Sequence, residues 1–247
     1  MKNLIKYEFR KTWTPKLVIL FIAAFAELCF LISLYLNAQN YNALSIVALS
    51  FIAIGGIMFI GIQSVLTMHQ DMNTKQGYML YMTPNSCYKI LGGKVIENGI
   101  SIFVAGAFFF ALAALDITLM LGHYGELGNL IKYVQDFLAQ LKLEVSIDGR
   151  LFALLAVNFL CAWLCTVVTA YLADVISTCL LNGKKHTGWI SLVIFLLLNW
   201  CLSFIQDTCT KQMVWDLRLS WNPVIALAWA SVMYYLTAFL MDRHLSV

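Results

Sequence analysis

The sequence predicts an all-α polytopic membrane protein: a single transmembrane domain over residues 1–247, with six transmembrane helices and both ends in the cytoplasm. Three observations predict it. Hydrophobic residues make up 61% of the chain and charged residues 12%, against about 25% charged in a soluble domain, and the mean hydropathy is +0.79. Six continuous apolar runs approach or exceed the roughly 20 residues that carry a helix across about 30 Å of hydrocarbon. Lysine and arginine also favour one set of alternating connections. The runs are continuously apolar, which predicts helices and not an alternating barrel. A net charge of +3 spread along the chain excludes a concentrated basic face for nucleic acid.

The N-terminal stretch comes first. Lys2, Lys6 and Arg10 recur every four residues and share one helical face, while Leu4, Ile5, Phe9 and Trp13 cover another. This pattern predicts an interfacial helix with its basic side toward anionic headgroups. An ordinary charged flank that sets topology is the alternative. The first apolar run, Leu17–Leu36, is longer than a signal-peptide core and is expected to be a retained span. The others are Leu44–Thr67, Gly99–Leu121, Leu151–Leu172, Trp189–Ile205 and Pro223–Met241. The fifth is the shortest, near the lower limit for spanning.

Orientation follows from the connections. With the N-terminus inside, eleven lysines and arginines fall on the cytoplasmic side, in the N-terminal stretch, the second-to-third and fourth-to-fifth connections and the C-terminus. Five fall outside: Lys132, Lys142, Arg150, Lys211 and Arg218. That bias predicts N-in and C-in. The inner connection His69–Glu97 is the longest on its side, with a turn signal at Thr83-Pro84-Asn85 and a Gly92-Gly93 pair. A loop of this length often docks another element. Outside, Leu127, Leu130, Ile131, Val134, Phe137, Leu138 and Leu141 keep helical spacing. They predict an extracellular amphipathic helix over Glu126–Val145, serving as a structural lid or a gate.

Several chemistries have no residues to carry them. No GxxxxGK[ST] phosphate loop occurs. The four histidines have no metal-ligand partner at helical spacing, and no serine sits in a GxSxG turn. Cys161 and Cys165 lie one helical turn apart, a spacing that also suits plain packing. No enzyme activity, cofactor or metal is expected in this chain. Glu27, in the middle of the first span, is the most expensive residue to place in lipid. It is expected either to line a pathway or subunit interface, or to be a protonated carboxyl bonded to a neighbouring span. Asp116, toward the outer end of the third span, is expected to be of the second kind. Gly55 and Gly56 in the second span, and Asn158 in the fourth, are candidates for the same pathway or interface.

One stretch carries a family resemblance. Asp71–Lys94 reads DMNTKQGYMLYMTPNSCYKILGGK. It resembles the cytoplasmic loop of the permease subunits of bacterial type-2 ABC exporters. The matching positions are Asp71, Gly77-Tyr78-Met79, Pro84-Asn85-Ser86, Ile90-Leu91 and Lys94. Leu4–Leu20 is similar to the interfacial helix that leads into the family's first span. Where the family usually has an acidic pair before the Gly-Tyr step, this chain has Lys75-Gln76.

The resemblance implies a division of labour. The loop would form a coupling helix on a separate ABC ATPase subunit through Asp71, Met72, Asn73, Thr74, Lys75, Gln76, Gly77, Tyr78, Met79, Leu80 and Tyr81. A shorter coupling segment, about Asp174–Thr187, would add Asn182 and Lys184. Two permease chains, identical or paralogous, would join two ATPase copies that hold the ATP and Mg. This chain would bind no cofactor and would form the path through a bacterial cytoplasmic membrane. Its spans carry little fixed charge, which suits an amphipathic or hydrophobic cargo. Export of toxin or antimicrobial peptides, or immunity to them, is the expected function. The alternatives are a multidrug or lipid-like efflux permease, and a non-ABC channel or membrane scaffold.

Overall fold

The computed structural model describes residues 2–36, 39–73, 86–124, 149–181, 187–211 and 215–245. The described residues form six α-helices and no strand: α1 (Lys2–Tyr35), α2 (Gln39–Asn73), α3 (Cys87–Tyr124), α4 (Gly149–Leu181), α5 (Thr187–Thr210) and α6 (Trp215–Leu245). Each is long and apolar enough to cross a membrane. Even α5, with 24 residues, reaches about 36 Å at 1.5 Å per residue. The expected outer helix Glu126–Val145 lies outside the described residues.

The helices outrun the apolar runs in the sequence. The expected interfacial segment is not a separate element, since α1 runs unbroken from Lys2 through Pro15 to Tyr35. Most of His69–Glu97, expected as a connection, is also helical. α2 continues to Asn73, and α3 starts at Cys87 after the Ser86 carbonyl accepts the Lys89 and Ile90 N–H groups. The Gly92-Gly93 pair is therefore inside a helix. A Cβ on Gly93 would stand 2.7 Å from Leu4 Cδ2, so the missing side chain admits α1 against α3. α4 likewise continues past Leu172 to Leu181.

α4 is the central helix, packed against α2, α3, α5 and α6, while α1 pairs with α2 and leans on α3. On α6 the small residues Ala226 and Ala230 lie one turn apart and pack with Cys165 of α4 and Leu202 of α5, as close helix approach in lipid requires. The main core sits at the end of the bundle where α1 begins and α6 ends. There Met68, Leu91, Tyr171, Val175, Ala238 and Met241 meet from four helices. Tyr234 adds a hydrogen bond from its Oη to the Tyr88 carbonyl at 2.6 Å, fastening α6 to the first turn of α3.

Candidate functional site

Charged residues at this same end are gathered between helices. On α1, Glu8, Lys11, Thr12 and Lys16 follow i, i+3, i+4, i+8 and share one face. On α3, Lys94, Glu97 and Ser101 follow i, i+3, i+7. On α2, Asp71 stands on the stripe of Ser64 and Met68. Packing α1 against α2 and α3 brings the three stripes together.

Lys94 is the centre of the network. Its Nζ donates to Glu8 Oε1 at 2.9 Å and to Asp71 Oδ2 at 2.6 Å. The other Asp71 oxygen pairs with Lys11. One turn deeper, Lys16 pairs with Glu97 and donates to Ser101 Oγ at 2.6 Å and Thr12 Oγ1 at 2.9 Å. Thr12 Oγ1 donates to Glu97 Oε1 at 2.8 Å, and Gln63 of α2 donates to the Thr12 carbonyl at 3.4 Å. Lys94, Glu8, Glu97 and Asp71 are only 2%, 2%, 3% and 6% exposed. Three lysines thus face three carboxylates, and the charge balances. Buried charges persist only when paired and hydrogen-bonded in this way. A second tie joins α2 to α4. His69 Nδ1 meets Asp174 Oδ1 at 2.6 Å, and the hydroxyls of Ser64 and Tyr171 are hydrogen-bonded one helical turn deeper.

The network brackets one segment of chain. Asp71 lies two residues before the end of α2, and Lys94 lies in the second turn of α3. Their ion pair closes the base of residues 74–85, while Lys11 and Glu8 fix that base to α1. Each of the three lysines is paired with a carboxylate, and these pairs tie α1, α2 and α3 together at the base of this segment.

The expected site residues divide three ways. Asp71 is in the network, Met72 packs against the core beside Met68, and Asn73 closes α2. Thr74, Lys75, Gln76, Gly77, Tyr78, Met79, Leu80, Tyr81, Asn182 and Lys184 lie outside the described residues. The pathway candidates are not gathered in one place. Glu27 of α1 lies beside Asp116 of α3. Gly55 faces open space, while a Cβ on Gly56 would stand 2.9 Å from Ile19 Cγ2. Asn158 bridges α4 to α6, its Nδ2 donating to the Leu219 carbonyl at 2.5 Å and to the Leu154 carbonyl at 3.1 Å.

Sequence reasoning passed over Glu8, Thr12, Glu97 and His69 as site residues, counted Lys11 and Lys16 among the topology charges, and read Lys94 as a topology charge and as a position of the family loop. The helical spacing of mixed acids and bases in Glu8–Lys16 and Lys94–Ser101 was the available signal. Compared with protein-family models, with curated proteins and with solved structures, the chain finds no match in any of the three.

Proposed function

We propose that this chain is the membrane-spanning permease subunit of an ATP-driven exporter of the type-2 ABC class, N-in and C-in, moving amphipathic peptides. The carrying observation is the buried ion network that closes the base of residues 74–85. A loop that receives force from a soluble partner needs a base that does not yield, and Lys94 with Asp71, Lys11 and Glu8 supplies one. In this reading Asp71 holds the base of the coupling segment, and Gly77, Tyr78 and their neighbours meet the partner ATPase. Asn182 and Lys184 serve the second contact, in the connection that follows α4. ATP and Mg belong to the partner. Two permease chains with two ATPase chains complete the transporter. The largely apolar spans favour an amphipathic peptide over a highly charged cargo.

The test is co-expression with a candidate ABC ATPase, purification through a tag on this chain, and ATP hydrolysis measured in lipid nanodiscs. Stable co-purification is expected, with hydrolysis altered by Tyr78→Ala and by Gly77→Pro and stimulated by amphipathic peptides. A well-folded chain that binds no ATPase overturns the proposal and leaves a channel or scaffold as the better reading.

A further inference from the structure

A groove of about 380 Å³ runs between α1 and α3 on the outside of the bundle. That volume falls within the roughly 300–1,000 Å³ of small-molecule sites. Most of its wall is apolar, with Leu17 and Leu20 on one side and Val104 and Phe108 on the other. Its end nearer the chain terminus is different. Lys16 and Ser101 stand there, bonded to one another, beside Trp13.

The same face of α1 continues past the groove with Arg10 and Lys6, both exposed. Lys6, Arg10, Trp13, Leu17 and Leu20 follow i, i+4, i+7, i+11, i+14, one stripe along the helix, so Trp13 stands with Lys6 and Arg10 and not on the separate apolar face expected for it. Lys6 to Trp13 covers about 10 Å of helix axis, comparable to the roughly 5–8 Å of polar layer on each side of a bilayer. Along this stripe the chemistry changes from cationic to indole to branched apolar. A phospholipid changes in the same order, from phosphate to ester to acyl chain. The stripe itself carries no acid. Glu8 and Glu97, the nearest carboxylates, are buried and committed to the interhelical network.

We propose that this groove binds one anionic phospholipid of the surrounding bilayer. Its phosphate lies against Lys6 and Arg10, its ester region against Trp13, and one acyl chain in the groove beside Leu20, Val104 and Phe108. The inference is independent of the transport reading, because it needs neither an ATPase nor a cargo.

The test titrates phosphatidylglycerol with brominated acyl chains into the full chain in detergent micelles and reads tryptophan fluorescence. The difference between wild type and Trp13→Phe isolates the signal at the groove. Brominated phosphatidylcholine is the neutral comparison. A saturable Trp13 quench is expected, stronger for phosphatidylglycerol. Ala105→Phe, which fills the groove from α3, is expected to abolish it. Lys6→Gln with Arg10→Gln is expected to weaken it roughly 10- to 30-fold, the scale of two surface charges. Those two side chains are exposed, so this variant decides the matter even if Ala105→Phe does not fold. Equal quenching by the two lipids overturns the proposal, as does a saturable phase that survives in the double glutamine variant. Concentration-dependent dimers that disappear in Ala105→Phe, with no preference between lipids, also overturn it and assign the groove to a second copy of the chain.

Discussion

Lys94 brings a full positive charge into the interior and takes its two carboxylate partners from two other helices, Glu8 of α1 and Asp71 of α2. Asp71 is shared with Lys11, so only Glu8 depends on Lys94 alone. Lys94→Met keeps most of the side-chain volume but strands the Glu8 carboxylate, and is expected to destabilise by about 3–5 kcal/mol. Lys94→Met with Glu8→Leu is expected to lie closer to wild type, since an ion pair exchanged as a unit for apolar residues is often neutral. Denaturant unfolding in mixed micelles measures both. A double variant as unstable as the single one would show that lost packing, not the stranded charge, is the cause. These residues also show why the site was only partly legible. Counting lysines gave Lys11, Lys16 and Lys94 a role in topology. Their partners lie 23 to 86 positions away in sequence, and nothing local distinguishes a lysine at the membrane edge from one that folds inward onto a distant carboxylate.

At the scale of elements, the six spans were legible because lipid-facing helices must be apolar along their length. Their ends were not. Hydropathy placed the second span's end at Thr67, the third's start at Gly99 and the fourth's end at Leu172, whereas the helices run to Asn73, from Cys87 and to Leu181. The added turns hold Asp71, Lys94 and Asp174, which lay outside the apolar runs read from the sequence and which pair across helices. Close approach between helices leaves a clearer trace, in glycines. A Cβ on Gly61 of α2 would overlap the indole of Trp163 on α4, and that ring is held in turn by stacking on Phe159 at 6.0 Å between centroids. The indole cannot move aside cheaply, so Gly61→Ala is expected to cost about 1–3 kcal/mol. Trp163→Phe removes the ring atoms in the way, and the double variant is expected to recover part of that loss. Thermal unfolding of the two single variants and the double gives the coupling. Additive losses would mean that the α2–α4 contact does not depend on this pair.

The two ends of the molecule are built differently. Near the termini, four helices converge on a core of Tyr171, Met68, Leu91 and Met241, beside the ion network and the His69–Asp174 tie. Toward the other end, α3 leaves Phe110, Leu115 and Ile117 on the outside. Lipid tails are as apolar as these side chains, so burying them against protein gains little in a bilayer. Stability should therefore reside at the end where α1 begins and α6 ends, which is also where α2 ends and α3 begins. Tyr171 and Phe110 make the comparison direct. Tyr171 is 0% exposed with its hydroxyl bonded to Ser64, and Phe110 is 72% exposed. Tyr171→Ala is expected to cost about 3–5 kcal/mol through the cavity it leaves. Tyr171→Phe, which loses only the hydrogen bond, should cost about 0.5–1.5 kcal/mol. Phe110→Ala should stay within about 0.5 kcal/mol of wild type. Unfolding of all three in lipid-containing micelles gives the order. A Phe110→Ala loss as large as that of Tyr171→Ala would place a second stable core at the far end, and the proposed coupling would lose its support, because the ion network would no longer mark the stiffest part of the bundle.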